Sequence, residues 1–378
     1  GEAPMEGGTS KDLAAGFSIG LCKAVHYHGE DARACFKALE AGLKPGDWVA
    51  VVGAGDIDQH ARRWVFGRKW DRWVEMVQPQ LSPATVLLRE EPLAEKTTLR
   101  AGGAARAYAE PAGVEDLRLL LGAAKHADIR VFILGRGSNV LVPDEGVDGL
   151  VISFSNPAWS AFEPRGEGCI WAGAGLRLKN FCGLADKAGL KGFEFLEGIP
   201  GTVGGALRMN AGAMGGWIFD VVIKVQVMLP DGELRLIDKA DMNAEYRGCA
   251  FLENAIALGA LLGPFSKGES GEVGRQIEEY RLKRQESQPR EPSAGCIFKN
   301  PPGESAGKLI DECWLKGERI GGAEVSAVHA NFIINRDSAT TSDVMALIRL
   351  VRTRVREIKG IELEPEVLLF GKDWKDVL

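Results

Sequence analysis

GFEFLEGIPGTVGGALRMNAGAMGG, residues 192–216, is the stretch on which the reading of this chain turns. Eight of its twenty-five residues are glycine, in a chain whose 378 residues already carry 48. Phe, Leu, Ile, Val and Met are interleaved with them, which a flexible linker would not carry. Glycine inside an apolar segment marks tight turns or a close approach of backbone to a ligand. Ile199-Pro200 fixes a bend, and Gly201, Gly204 and Gly205 strip side chains from one surface. The N–H groups exposed there can hold a pyrophosphate. Asn210 and Gly212 follow at once and offer an amide and another bare backbone.

Upstream, the chain repeats the device. Three apolar strand candidates end in G-x-G, at Gly53-Ala54-Gly55, Gly135-Arg136-Gly137 and Gly173-Ala174-Gly175. None completes G-x-G-x-x-G, because Asp58, Val140 and Leu178 stand where the third glycine belongs, so the dinucleotide fingerprint fails each time. No G-x-x-x-x-G-K-[ST] loop exists either. Taken singly, each G-x-G reads as a strand-ending turn. Two glycine loops in one domain suit a ligand with a long phosphate bridge, and FAD is of that kind. The candidate cofactor residues are Leu134, Gly135, Arg136, Gly137, Ser138 and Asn139 in one loop. In the other they are Gly198, Ile199, Pro200, Gly201, Thr202, Gly204 and Gly205, with Asn210 and Gly212 just beyond.

The surrounding pattern mixes helix and strand. Residues 1–58 read as a small α/β unit: a strand at Leu21–Tyr27, a helix at Glu30–Ala41, and a second strand in WVAVVGAGDID. A helix over 59–78 places Phe66, Trp70, Trp73, Val74 and Val77 on one face and ends at Pro79. From Pro83 a new pattern begins. It predicts a helix over Val114–Ala127, strands at Arg130–Leu134, Gly149–Ser153 and Cys169–Ala172, and a helix over Leu178–Ala188. A hairpin over Val221–Leu236 turns at Pro230-Asp231-Gly232. A charged helix over 272–287 precedes helix 305–313, strand 331–335, helix 340–358 and strand 363–370.

Bulk properties exclude several classes. Lys plus Arg number 46 and Asp plus Glu 52, and no basic block suggests nucleic acid. No apolar run is long enough to span a membrane, and no basic-then-apolar leader opens the chain, so a cytoplasmic protein is expected. The seven cysteines form no C-x-x-C pair, which argues for reduced thiols and against a zinc site or a disulfide framework. His26 and His28 lack a third ligand in view and read as strand residues, so no metal is expected.

KTTLRAGG, LGRGSNVLV, the 192–216 stretch, AEYRGCAF, PSAGCIFKNP, GKLIDECWLKG, GGAEVSAVHANFIIN and LEPEV, in this order, resemble the successive motifs of the UDP-N-acetylenolpyruvoylglucosamine reductase (UDP-N-acetylmuramate dehydrogenase) family. The resemblance covers about residues 84–371. It implies an α+β protein: a two-subdomain FAD-binding fold of the vanillyl-alcohol-oxidase kind over 84–265 (84–150 and 151–265), then an α+β substrate-binding domain over 266–371. It implies that NADPH reduces non-covalent FAD, and that hydride then passes to the enolpyruvyl vinyl carbon of UDP-N-acetylglucosamine enolpyruvate. A side chain supplies the proton that completes UDP-N-acetylmuramate, a peptidoglycan precursor.

Hydride addition leaves negative charge beside the substrate carboxylate, and the site must stabilise it and then protonate it. By resemblance Arg247 binds the carboxylate and Glu366 works beside it. The family's proton donor is a serine in Gly-Ser-x-Phe-Lys-Asn-Pro; here Cys296 stands there. A thiol is a stronger acid than an aliphatic hydroxyl, provided it waits protonated, which a carboxylate such as Glu366 favours. The alternative is a buried cysteine with the proton drawn from water. Tyr246, Lys299 and Asn300 are placed near the substrate. The stretch between Arg247 and Cys296 lacks the extra loop of longer members, which points to the shorter subclass.

Residues 1–75, through GEAPMEGGTSKDLAAGF and LKPGDWVAVVGAGDID, resemble the C-terminal end of UDP-N-acetylmuramate–L-alanine ligase. This implies a natural ligase–reductase fusion, with residues 1–78 a ligase remnant and linker helix. Two further readings stay open: a related FAD-dependent oxidase, and a non-catalytic scaffold left by fusion.

Overall fold

The computed structural model describes residues 32–44, 57–269 and 271–378. The strands expected at Leu21–Tyr27 and in WVAVVGAGDID, the G-x-G at Gly53 and the His26/His28 pair lie outside the described residues. Two compact units divide the chain, residues 1–76 and 77–378. The first contains the helix Ala32–Gly42 and most of the helix Ile57–Val77. Phe36 stacks on Trp64 at 5.0 Å between ring centroids, and the buried Trp70 and Trp73 meet edge-on at 6.0 Å.

The second unit opens with a four-stranded sheet in the order Val86–Pro92, Ala104–Glu110, Val147–Ser153, Val131–Leu134. The first pair is antiparallel and the other two are parallel. Val147–Ser153 is buried at all but one position, as a parallel strand covered on both faces must be. The helix Val114–His126 buries Leu117, Leu120 and Ala124, and carries acids in its first turn and bases in its last. Leu134 delivers the chain straight into the first glycine loop.

A five-stranded antiparallel sheet follows, in the order Leu234–Asp238, Val222–Met228, Ile256–Leu262, Ile170–Gly173, Phe162–Pro164. The expected hairpin is its edge, with Gly232 at φ +85° in the turn. Phe181, Phe193 and Phe265 pack together beneath this sheet, with ring centroids 5.8 to 6.1 Å apart. The helix Glu272–Ser287 buries Val273 and sets Ile277 against this same core. The domain boundary expected at residue 266 therefore falls too early: this helix packs as part of the middle subdomain, because its few apolar residues find their partners there.

The last layer is a four-stranded antiparallel sheet, Ser293–Cys296, Phe332–Asn335, Ala323–Val325, Arg319–Ile320, with the helices Ala306–Glu312 and Thr341–Lys359. The long helix opens on a Thr340/Asp343 capping box, buries Val344, Leu347, Ile348, Val351 and Val355 on one stripe, and stops at Gly360 in the left-handed region, φ +69°. Its first turn is also capped from a distance. The Asp144 carboxylate accepts from the Thr341 and Ser342 N–H groups at 2.7 and 2.8 Å, a contact worth about 0.5–2 kcal/mol. Leu99, Ala101 and Leu141 of the first subdomain enter the core of this domain. The strand expected over 363–370 is reduced to Leu368–Leu369, paired in parallel with Val140–Leu141. Pro365 has no N–H to give a ladder, and residues 364–366 bond instead to the backbone of residues 297–299.

Candidate active site

The two glycine loops face one another. A Cβ placed on Gly135 would lie 3.3 Å from Thr202 Oγ1, and one on Gly201 would lie 3.8 Å from Ser138 Oγ. Side chains at these positions would fill the gap between the loops. Gly137, at φ +65°, turns back so tightly that a Cβ would meet Lys96 O at 2.5 Å, and its carbonyl accepts the Thr98 N–H at 3.0 Å. Thr202 caps the short helix Val203–Arg208, its Oγ1 accepting from Gly205 N–H at 3.4 Å. The loops open on a cleft of about 1880 Å³ lined by nine Lys and Arg against four Glu. In a chain of net charge −6 this is a strong local sorting of charge, and a cleft of that sign concentrates polyanions.

Arg247, Cys296 and Glu366 line the same cleft. Arg247 sits in a tight turn at φ +57°, in the left-handed region uncommon for a side chain of its size. Its Nε lies 2.7 Å from Glu366 Oε1, with the side chains 21% and 11% exposed. The N–H is not aimed along that line, so Nε is left without a hydrogen bond; the pair is best described as a charge contact. The guanidinium carbon stands 5.4 Å from the ring centroids of both Trp217 and Tyr246. Burial raises the Glu366 carboxyl above the usual carboxylate range, and Arg247 opposes the rise. Burial, and then the Glu366 charge, push the Cys296 thiol up to about 12, with Arg247 and Arg284 opposing. The thiol therefore waits protonated at neutral pH, chiefly because it is buried. Glu366 contributes second.

Four residues expected at the ligand lie off the cleft wall and have protein partners. Asn210 is 9% exposed and lies off the cleft wall. Its amide donates to Glu245 O at 3.0 Å and accepts from Phe219 N–H at 3.4 Å, so it braces the backbone just before Arg247. Asn300 accepts the Ala306 N–H at 3.0 Å at the start of a helix. Lys299 pairs with Glu364 at 2.6 Å. Tyr246, 46% exposed, edges against Trp217 behind Arg247. Neither Asn300, Lys299 nor Tyr246 is on the wall. In each case the partner is a group that comes near only on folding. The remaining cofactor candidates of both loops, and Gly212, do line the cleft.

Arg284 is a site residue the sequence did not single out. It projects from the helix Glu272–Ser287 into the cleft wall, and its Nη1 donates to Gly198 O at 2.9 Å. Gly198, at φ +73°, is bare where a Cβ would strike Arg284 Cδ at 2.5 Å. Its buried Nε has no protein partner, and burial lowers its proton affinity. An arginine among many on a charged helix carries no distinguishing mark in sequence. The bare backbone of two facing loops, the cation-lined cleft and this unpaired guanidinium edge all fit a pyrophosphate-bridged dinucleotide. Among the described residues, no group of three or more His, Cys, Asp or Glu is placed to hold a metal ion. No described helix is long and apolar enough to cross a membrane.

Comparison with known proteins agrees with this geometry. Residues 105–238 match the model of an FAD binding domain, and residues 288–370 match the C-terminal domain of UDP-N-acetylenolpyruvoylglucosamine reductase. The chain is 38% identical over 284 residues to the reductase of that name from Syntrophomonas wolfei, covering 75% of this chain and 94% of that one. It is 39% identical over 307 residues to that of Shouchella clausii, covering 80% and 97%. The crystal structure of the UDP-N-acetylenolpyruvylglucosamine reductase from Thermus caldophilus superposes with a TM-score of 0.65 at 36% identity, covering 75% of this chain and 98% of that one.

Proposed function

The chain belongs to the UDP-N-acetylenolpyruvoylglucosamine reductase family, and from that premise we propose that it reduces UDP-N-acetylglucosamine enolpyruvate to UDP-N-acetylmuramate with NADPH, through FAD held between the two glycine loops. The fold is the two-subdomain FAD-binding architecture with a C-terminal α+β domain. The observation that carries the reading is the meeting of Arg247, Cys296 and Glu366 on one wall of the cleft into which both loops open.

The loop residues Leu134 to Asn139, Gly198 to Thr202, Gly204 and Gly205 would hold the cofactor, through a close approach of backbone that the glycines leave bare. FAD, when bound, supplies a two-electron hydride relay between the nicotinamide and the vinyl carbon. Arg247, fixed by Glu366 and flanked by two aromatic rings, presents its remaining donors to the substrate carboxylate and stabilises charge developing beside it. The Cys296 Sγ–H gives its proton to the adjacent carbon. A carbanion next to a carboxylate is a far stronger base than a thiolate, so even a thiol raised to about 12 is a competent acid here. The thiolate left behind sits near Arg247 and Arg284, which favour it, until solvent returns the proton.

The same reading places the protein in the cytoplasm and takes residues 1–78 as a remnant of a natural fusion to UDP-N-acetylmuramate–L-alanine ligase. The motif resemblance of residues 1–75 supports this. The test is the absorption spectrum of the purified protein. A flavin band that NADPH bleaches and the enolpyruvyl substrate restores supports the reductase. A band restored by oxygen alone favours the oxidase, and no flavin at all favours the scaffold.

A further inference from the structure

We propose that Asn331 is the positioning residue of this site, a carboxamide that fixes the Cys296 thiol and the Glu366 carboxylate through one run of backbone hydrogen bonds. The inference rests on the assignment of Cys296 as proton donor.

The strand Ser293–Cys296 pairs with Phe332–Asn335, but its register breaks between Ser293 and Cys296, where Gly295 sits at φ +78°. The regular ladder stops at the Cys296–Phe332 pair. Beyond that point no strand holds the backbone that aims the thiol. Asn331 takes over. Its Oδ1 accepts the Phe298 N–H at 2.9 Å and its Nδ2 donates to Phe298 O at 2.8 Å, both buried. A primary amide used in this way replaces the peptide group that a neighbouring strand would have offered. Its own carbonyl accepts the Ile297 N–H at 2.9 Å. Three bonds from one residue, 3% exposed, therefore fix the two residues after Cys296.

The run continues to the other catalytic group. Ile297 O accepts the Glu366 N–H at 2.7 Å, Phe298 forms a bridge with Pro365, and Lys299 N–H donates to Glu364 O at 2.9 Å. The segment bearing Glu366 is thus registered on the segment that Asn331 clamps. Asn331 is itself oriented by its N–H, which donates to His329 Nδ1 at 3.2 Å. It lies off the cleft wall, so it acts only through its neighbours. A buried amide with both functions satisfied is stable, and one that loses a partner leaves two backbone groups unpaired.

The experiment uses the FAD-loaded full chain in single-turnover halves. In Asn331→Ala, flavin reduction by NADPH stays within about twofold of the parent. Reoxidation by the enolpyruvyl substrate slows roughly a hundredfold, the scale of an ångström's misplacement of a reacting group. In the double variant with Cys296→Ala, the two losses in reoxidation fail to multiply, because one acts through the other. Asn331→Asp keeps the acceptor and turns a carboxylate oxygen toward Phe298 O. It reproduces the split between halves and serves alone if the alanine variant does not fold. Reoxidation at the parent's rate in the folded variants, or losses that multiply, overturns the proposal. A parent that binds no FAD or does not reduce the substrate overturns the reductase reading instead.

Discussion

Arg247 and Glu366, far apart in sequence and brought from different domains, meet with 2.7 Å between Nε and Oε1 at the edge of the cleft. Arg247 is the main charged neighbour of Glu366, and the pair is nearly but not fully enclosed. Burial raises the carboxyl, and Arg247 first, then Lys299, oppose the rise.

Arg247→Met should therefore raise the Glu366 carboxyl further. A folded-state value above the unfolded one gives a contribution that is full at low pH and lost as pH rises through the folded value. Relative to the parent, the variant should be least stable above neutrality and recover toward pH 5. A loss of about 2 kcal/mol is expected at pH 8, below the ~3–5 kcal/mol of a fully buried broken pair, because both side chains keep some solvent. Melting temperatures of both proteins across pH 5–9 measure it. A difference independent of pH would show that Glu366 is not held by this arginine.

Cys296 should separate the two halves of turnover. In Cys296→Ala, NADPH bleaches the flavin at near-normal rate, while reoxidation by the enolpyruvyl substrate slows roughly a hundredfold or more. Cys296→Ser recovers much of it. The thiol is raised to about 12, so the parent's reoxidation should show no alkaline fall from Cys296 between pH 7 and about 10. Its contribution to stability, full below the unfolded thiol value, should be lost only as pH climbs toward 12. A fall near pH 8.5 that disappears in Cys296→Ser would contradict the burial seen here.

Gly201→Val should block the cofactor without unfolding the chain. The position has no positive φ, and its Cβ would meet only Ser138 Oγ at 3.8 Å. The added methyls enter the gap between the loops. FAD affinity should fall by roughly a hundredfold, the cost of ~2–3 kcal/mol of overpacking, while the apoprotein melts within a few degrees of the parent apoprotein. Isothermal titration with FAD decides; unchanged affinity would place the dinucleotide elsewhere.

The flavin should come free on acid precipitation, since neither glycine loop offers a histidine or cysteine for attachment. Yellow colour retained in the pellet would refute this.

A chain beginning at Val77 should keep most of its turnover. The compact unit starts there, and it retains the buried Val77 and Leu81, which a start at Ser82 would remove. A folded, flavin-loaded product with less than a tenth of the parent's rate would give residues 1–76 a part in the site.

The sequence by itself determined the two glycine loops, the longer helices after Val114 and some of the strands between them, and the three catalytic candidates. Glycine spacing and side-chain chemistry are local properties, and the motifs fall in family order along the chain. Tertiary structure alone decided what several polar residues do. In sequence, Asn210, Asn300 and Lys299 stand as a free amide or ammonium beside a motif; folding supplies each with a partner distant along the chain or across a turn. Arg284 and Asn331 carried no signal for the converse reason. The carbonyl that anchors Arg284 is Gly198's, and the peptide that Asn331 completes is Phe298's. A hydrogen bond between groups many residues apart leaves no periodicity and no motif, because it is made by the approach of two backbones and not by either segment alone.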